Sequence, residues 1–420
     1  MNFFGGSSSN DAHAFESPVD RLLKADKGQP LFGPLEPQDT EWAQHGGFVT
    51  ETQVWYATMP DGQVIMFQII HSAVGLWSPT VQITFAHFDG KQRAWRSTNV
   101  SHFTTPAAPS LDKRSCKGDQ FSVTLDPKEP DCYKIQATYD KDTQLTLNVT
   151  RSPNVPGWKL GTGPRGGISY FGSVKSDKKT GGSYAPDRDA GADGYAVHRF
   201  WPSASVSGIV RIGQTMLDMN GSSGIFIHAV QGRRPNLLAS RWNFADFQSI
   251  PKSPEEDQVS LVMMEFTTTA QHKHRKVNAG SVVVNGELVA VTMGGSDVTE
   301  GNKAEHQELT LDKDTGYNAP KQVTFDWAGP AIADPSKTVK ARVTLDASQG
   351  LAEKVDVLAE IPYFIKKVVN VVSGAKPYVY QWFNPREATI ELPELNGKPA
   401  RTVQVKGYLF NEISYVSEDP

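Results

Sequence analysis

Two cysteines in 420 residues, Cys116 and Cys132, are too few for a disulfide framework and too loosely placed for a redox sensor. Reduced thiols in a cytosolic setting are the expectation. Long apolar runs are also missing. No stretch of about 18 apolar residues is present, so no segment reads as membrane-spanning. The opening MNFFGGSSSNDAH has neither the basic start nor the apolar run of a secretory signal. The acceptor triplets at Asn99, Asn148 and Asn220 therefore carry little weight as glycosylation sites. Neither sign of charge dominates, with 42 basic against 46 acidic residues. That balance excludes affinity built on neutralising phosphates, so no nucleic-acid partner is expected. Catalytic signatures are absent as well: there is no G-x-S-x-G elbow, no H-E-x-x-H and no C-x-x-C. A G-x-G-x-x-G spacing does occur at Gly161, Gly163 and Gly166. Pro164 interrupts it, and Ile168–Phe171 reads as a strand where the dinucleotide motif requires a helix. No cofactor and no metal are expected.

What the chain has in quantity is punctuation. Thirty-six glycines and 27 prolines are scattered between short alternating runs, the pattern of many strands joined by turns. Glu51–Thr58 and Gln63–Ile70 flank Met59-Pro-Asp-Gly62, which has hairpin chemistry. Further runs at Val81–Phe88, Phe121–Leu125, Tyr133–Tyr139, Leu145–Arg151, Val206–Ile212, Val259–Thr267, Val277–Val284, Thr338–Leu345, Tyr378–Phe383 and Gly407–Tyr415 predict an all-β protein. The length suits two domains. We expect a flexible segment over 1–45, a first domain over 46–220 and a second over 221–420. Helices are few: a short one over Ser17–Lys24 capped by Ser17, and an amphipathic one from Pro362 to Val372 ended by Gly374.

The densest stretch is Gly224–Gln248, GIFIHAVQGRRPNLLASRWNFADFQ. Ile225, Ile227 and Ala229 alternate with Phe226, His228 and Val230, the period of a strand. After the Gly-Arg-Arg-Pro-Asn turn, Trp242 and Phe244 oppose Arg241 and Asn243. Polar groups on a doubly buried strand need partners or a ligand. His198, His228, Gln231, Arg241 and Asn243 are accordingly the candidate polar ligands, with Trp201 and Trp242 as candidate walls, in a barrel interior of the kind that holds small molecules. The bland alternative for each histidine is a satisfied core residue, and for Arg241 an internal carboxylate such as Asp246 or Glu265. Glu305-His306-x-Glu308 and His272-Lys-His-Arg-Lys276 read as solvated surface rather than as metal or lipid sites.

Several long strings resemble the fungal survival-factor family linked to oxidative-stress survival. They are FIHAVQG with SRWNFADFQ, Glu51-Thr-Gln53 with Gln68-Ile-Ile-His71, Trp95-x-Ser97-Thr98-Asn99, and Pro156-Gly157 followed by Tyr170-Phe-Gly172. His198-x-Phe200-Trp201-Pro202, Met263–Thr268, Tyr380–Pro385 and Gly407–Glu412 continue the likeness. The resemblance implies two tandem lipocalin-like (calycin) β-barrel domains. It also implies a non-enzymatic, monomeric carrier of ceramide or a related lipid, in the cytoplasm and in transient contact with endoplasmic reticulum and Golgi membranes. Two departures stand out. MNFFGGSSS makes a poor amphipathic helix, and Pro235 is followed by Asn236 and Leu237 where the family has a histidine pair. The rival expectation is a lipocalin-like enzyme, a hydratase or pericyclase, with His198 or Glu265 as acid.

Overall fold

The computed structural model describes residues 13–25, 28–75, 78–107, 111–172, 192–360 and 377–417. The helix expected from Pro362 and the first twelve residues lie outside these.

Two large antiparallel sheets dominate, and each takes its strands from one stretch of the chain. The first contains β1 (Phe15–Glu16), β2 (Phe32–Pro34), β3 (Gly47–Thr58), β4 (Val64–Gly75), β5 (Thr80–Phe88), β6 (Arg93–Val100), β7 (Cys116–Gly118) and β8 (Phe121–Asp126). It continues with β9 (Glu129–Thr138), β10 (Thr143–Arg151), β11 (Trp158–Leu160), β12 (Ile168–Phe171), β13 (Gly194–Ile212), β14 (Thr215–Asp218) and β15 (Ser222–Gln231). Its main path runs β6-β5-β4-β3-β15-β13-β10-β9-β8-β7, and a bridge from Thr104 to Lys117 brings the two edges together. The second begins with β16 (Ala239–Ser249), β17 (Val259–Thr268), β18 (Lys276–Val284), β19 (Glu287–Gly295) and β20 (Lys303–Gln307). A small separate hairpin, β21 (Thr310–Leu311) with β22 (Asn318–Ala319), precedes β23 (Gln322–Pro330), β24 (Thr338–Asp346), β25 (Leu351–Asp356), β26 (Tyr378–Leu392) and β27 (Arg401–Tyr415). Here the path is β19-β18-β17-β16-β27-β26-β24-β23-β20, with Ala290 bridging to Ala331 across the seam. The protein is thus an almost all-β pair of nearly closed barrels, as expected.

Both barrels are filled. Trp55, Phe67, Phe85, Tyr133, Trp201 and Phe226 pack inside the first, and Phe247, Phe325, Trp327, Trp382 and Leu409 inside the second. A third apolar cluster joins the outer faces of the two sheets. Tyr56 lies 5.3 Å from Phe244 and 5.1 Å from Phe410, and Trp242 lies 4.8 Å from Phe266, measured between ring centroids. At the β3–β4 turn Gly62 has φ +84, and an added Cβ would run into the Tyr408 ring of the second barrel. That glycine serves the turn and the close approach of the barrels together.

Three expectations need correction. The strand expected to open the second domain, β15, pairs with β3 and β13 and belongs to the first sheet. The chain changes sheet over 232–238, through the short helix α2 (Pro235–Leu238), α1 being Pro18–Lys24. The turn-rich gap at 218–223 only joins neighbouring strands. Second, residues 13–25 and 28–45 are built into the fold. Ser17 caps α1 in a capping box, and Phe15 packs against Phe171 of the first barrel and Phe266 of the second. The stretch around Asp39 covers one end of the first barrel. Asp39 binds Lys159 Nζ at 2.6 and 2.8 Å, and Arg199 Nη2 lies 3.2 Å from its Oδ1, all buried. Third, the run expected as a strand at Val206–Ile212 is the end of a longer one, β13, that begins at Gly194. Pro202, which cannot donate to a ladder, sits at a bulge between Trp201 and Ala204 that bends the strand without ending it.

Candidate functional site

Between the barrels the sheets diverge and leave a cavity of about 490 Å³, within the usual range for small-molecule sites of roughly 300–1,000 Å³. Strand alternation decides what faces it. On β3, Glu51, Gln53 and Trp55 point into the first barrel, so Thr52, Val54 and Tyr56 point out into the cavity. Met66, Gln68 and Ile70 of β4, Gln82 and Thr84 of β5, and Trp95 and Ser97 of β6 extend that wall. The second barrel contributes Trp242 and Phe244 of β16, Met264 of β17, Val379 and Gln381 of β26, and Glu412 and Ser414 of β27. Val357 and Leu358 of α3 (Val357–Glu360) and Arg233 to Asn236 at the change of sheet complete the lining.

Most of the wall is apolar, and one group of its polar residues is linked by hydrogen bonds around Glu412. Glu412 is paired in register with Gln381 on one side and with Phe244 on the other. Gln381 Nε2 donates to Glu412 Oε2 at 2.7 Å, and Ser414 Oγ donates to Oε1 at 3.1 Å. Burial pushes the Glu412 carboxyl above the usual range, against these two hydrogen bonds. Gln381 is 3% exposed, and its Oε1 has no hydrogen-bond partner among the described residues. Tyr56, from the facing sheet, is raised by burial and by the nearby carboxyls of Glu412 and Asp246. A hydrogen bond from Gln248 Nε2 only partly offsets the burial that lifts Asp246, in the same seam, to about 7.

The cavity brings together three of the seven residues picked from the sequence: His198, Gln231 and Trp242. His198 lies 5.3 Å from Trp242 and 6.1 Å from Phe266, centroid to centroid, and burial lowers its pKa to about 4, so it is neutral. The other four belong elsewhere. Trp201 is core of the first barrel, its ring 4.9 Å from that of Tyr133 and tilted 37° to it. His228 is fully buried there, its Nδ1 3.0 Å from the Asp39 carbonyl and its Nε2 3.0 Å from Glu51 Oε1. Asn243 faces the interior of the second barrel, donating to Glu265 Oε1 at 3.0 Å and accepting from His306 Nε2 at 2.8 Å. Arg241, on the same face as Asn243, is absent from the cavity lining, and its charge helps hold His306 neutral after the larger effect of burial.

This cavity thus lies on the outer faces of the two sheets rather than in a barrel interior, where large apolar side chains pack. His306 also departs from the solvated-surface expectation, since it turns inward while Glu305 and Glu308 stay exposed. Arg275, in the short basic run, is tied to Asp20 of α1 at 2.5 Å. Among the described residues no group of three His, Cys, Asp or Glu side chains is placed to hold a metal ion. No helix among them is long and apolar enough to cross a membrane. Glu412, Gln381 and Tyr56 were missed as site residues. The one signal available was an acid amid aromatics in Tyr408-Leu-Phe-Asn-Glu412, on the same strand face as Tyr408 and Phe410.

Comparison with known proteins adds an independent line. The model of the Svf1 family matches residues 7–417. The ceramide-binding protein svf1 of Schizosaccharomyces pombe is 30% identical over 390 residues, covering 92% of this chain and 90% of that protein. The ceramide-binding protein SVF1 of Yarrowia lipolytica is 30% identical over 425 residues, covering 97% and 95%. That of Debaryomyces hansenii is 32% identical over 391 residues, covering 91% and 88%.

Proposed function

This chain belongs to the Svf1 family, and from that premise we propose that it binds ceramide or a closely related sphingolipid in the cavity between its barrels. The carrying observation is the cavity itself: a largely apolar space walled by both sheets, with a hydrogen-bonded polar group at Glu412, Gln381 and Ser414. Acyl chains would lie along Met66, Ile70, Ile227, Trp242, Phe244 and Val379, and the headgroup would meet that polar group. Each buried methylene contributes about 0.8 kcal/mol. About ten of them supply some 8 kcal/mol, the order of a micromolar dissociation constant before any headgroup contact. In the same reading the protein shields its lipid in water as it moves between endoplasmic reticulum and Golgi membranes, and so supports survival under oxidative stress. Its work is binding rather than catalysis.

Solvent extraction of the purified chain followed by mass spectrometry tests the first claim, with stoichiometric sphingolipid as the expected result. Ala229→Trp tests the place. Ala229 lines the cavity from β15, so an indole there takes up ligand volume and is expected to lower ceramide affinity at least tenfold in a folded variant. An empty protein that fails to take up labelled ceramide would sink the reading. Unchanged affinity in Ala229→Trp would move the site elsewhere.

A further inference from the structure

Around Glu412 the cavity wall carries acceptors that the protein leaves open. Glu412 offers two oxygens, each with one donor already supplied from the protein and with acceptor capacity left over. Gln381, nine-tenths buried and part of the cavity wall, presents an Oε1 with no donor at all. An unsatisfied buried acceptor is destabilising, and an acid set in an apolar wall is more so. A filled, purely apolar wall would have neither. The two residues are directly opposed on β26 and β27, so their oxygens lie within reach of a single small headgroup. Tyr56 on the facing sheet lines the same cavity near the Glu412 carboxyl.

We propose that Glu412 and Gln381 form an acceptor subsite that selects lipids presenting an N–H and an O–H close together, the chemistry of an N-acyl amino alcohol. Ser414 and Gln381 Nε2 hold the carboxyl in place from the other side, leaving its remaining lone pairs for the ligand. A glycerol diester of equal chain length brings the same methylenes but no N–H, and a fatty-acid methyl ester brings no donor at all. Against the glycerol diester at least one of the subsite's acceptors stays unpaired, and against the methyl ester both do, so discrimination arises from what is left unsatisfied as much as from what is bound. The inference rests on the cavity being the lipid site.

The experiment measures binding of three fluorescent-competed ligands to the full chain: a ceramide, a diacylglycerol of matched chains, and the same ceramide methylated on its amide nitrogen. Wild type is expected to prefer ceramide over the other two by about tenfold to a hundredfold, the span of one or two hydrogen bonds to a charged or buried acceptor. Glu412→Leu and Gln381→Leu are each expected to lose about tenfold for ceramide and to leave diacylglycerol binding unchanged or stronger, collapsing the preference. Glu412→Gln, which keeps one acceptor oxygen, is expected to fall between. A circular-dichroism melt confirms folding of each variant. Ceramide binding that is sensitive to Ala229→Trp but equal for all three lipids, and indifferent to both leucine variants, overturns the subsite while sparing the cavity. Absence of any ceramide binding, or binding indifferent to Ala229→Trp, overturns the cavity reading and the subsite with it.

Discussion

Asp246→Asn should make this protein more stable at neutral pH and no different in acid. Asp246 is 2% exposed on the outer face of β16, in the seam between barrels, where Gln248 Nε2 bonds its Oδ1 at 2.6 Å. Burial raises its pKa from 3.8 to about 7. The sign follows directly. Between pH 3.8 and about 7 the folded chain keeps a proton that the unfolded chain has released, so each step up in pH favours unfolding. The stability that the neutral carboxyl allows is complete below about pH 4 and gone once pH passes about 7. At about 1.4 kcal/mol per pH unit the whole window amounts to roughly 4 kcal/mol. Asparagine holds no such proton, and its carbonyl can still accept from Gln248. The gap between variant and wild type is therefore expected to be near zero at pH 4 and to grow to roughly 4 kcal/mol by pH 8. In urea that is a midpoint difference on the order of 1 M at ordinary slopes. Subtracting the two chains at each pH removes the contribution of every other carboxylate. A gap that stays flat between pH 4 and 8, or a variant less stable at pH 8, would refute the assignment of a protonated Asp246 to the seam.

Two further predictions concern the residues that hold each barrel. Asp39→Asn leaves Lys159 and Arg199 buried without their anion, a loss of about 3–5 kcal/mol. The melting temperature should fall by roughly 10 °C, and chymotrypsin should cut near Trp42 faster than in wild type. An unaltered melt would show that the cluster does not anchor the segment. Asn243→Leu strips Glu265 Oε1 of one donor and His306 Nε2 of its acceptor, costing about 2–4 kcal/mol. Because that side chain faces the second barrel's interior, ceramide affinity should not change. A loss of affinity without a loss of stability would return Asn243 to the binding site.

How much of this was legible in the sequence can be judged at Trp242 and Asn243. The period of two separated them correctly onto opposite faces of one strand, and it drew most of the other strands within a few residues. Nothing in the period says which face is the barrel interior. Both faces of β16 are buried, one by its own barrel and one by the neighbouring barrel, so hydrophobicity cannot tell them apart. The polar residues then mislead. Arg241, Asn243 and His228 look like ligands because they are polar and enclosed, but Asn243 and His228 find partners that lie far away in the chain: Glu265, His306, Asp39 and Glu51. Such closure is a tertiary fact. The strands β20 and β23 were missed for a related reason, since Lys303–Gln307 carries exposed charge at a barrel edge and Val323, Phe325 and Trp327 alternate only briefly. The family resemblance named the two barrels but could not say that a cavity lies between them.

That location has a consequence for how binding and stability are linked. Tyr56, Gln68 and Ile227 come from one sheet, and Phe244, Gln381 and Glu412 from the other, so neither barrel alone walls the cavity. A lipid seated there bridges the sheets and adds RT ln(1 + [L]/Kd) to the joined state, about 2.7 kcal/mol at a hundredfold excess over Kd. Reciprocity then requires that whatever favours the joined state also favours the lipid. Gly62→Ala, which forces the β3–β4 turn against Tyr408, lies outside the cavity lining and touches no ligand group. It is nonetheless expected to weaken ceramide binding, and saturating ceramide is expected to restore part of its lost melting temperature. Equal destabilisation with and without lipid would mean that the seam and the cavity are energetically independent.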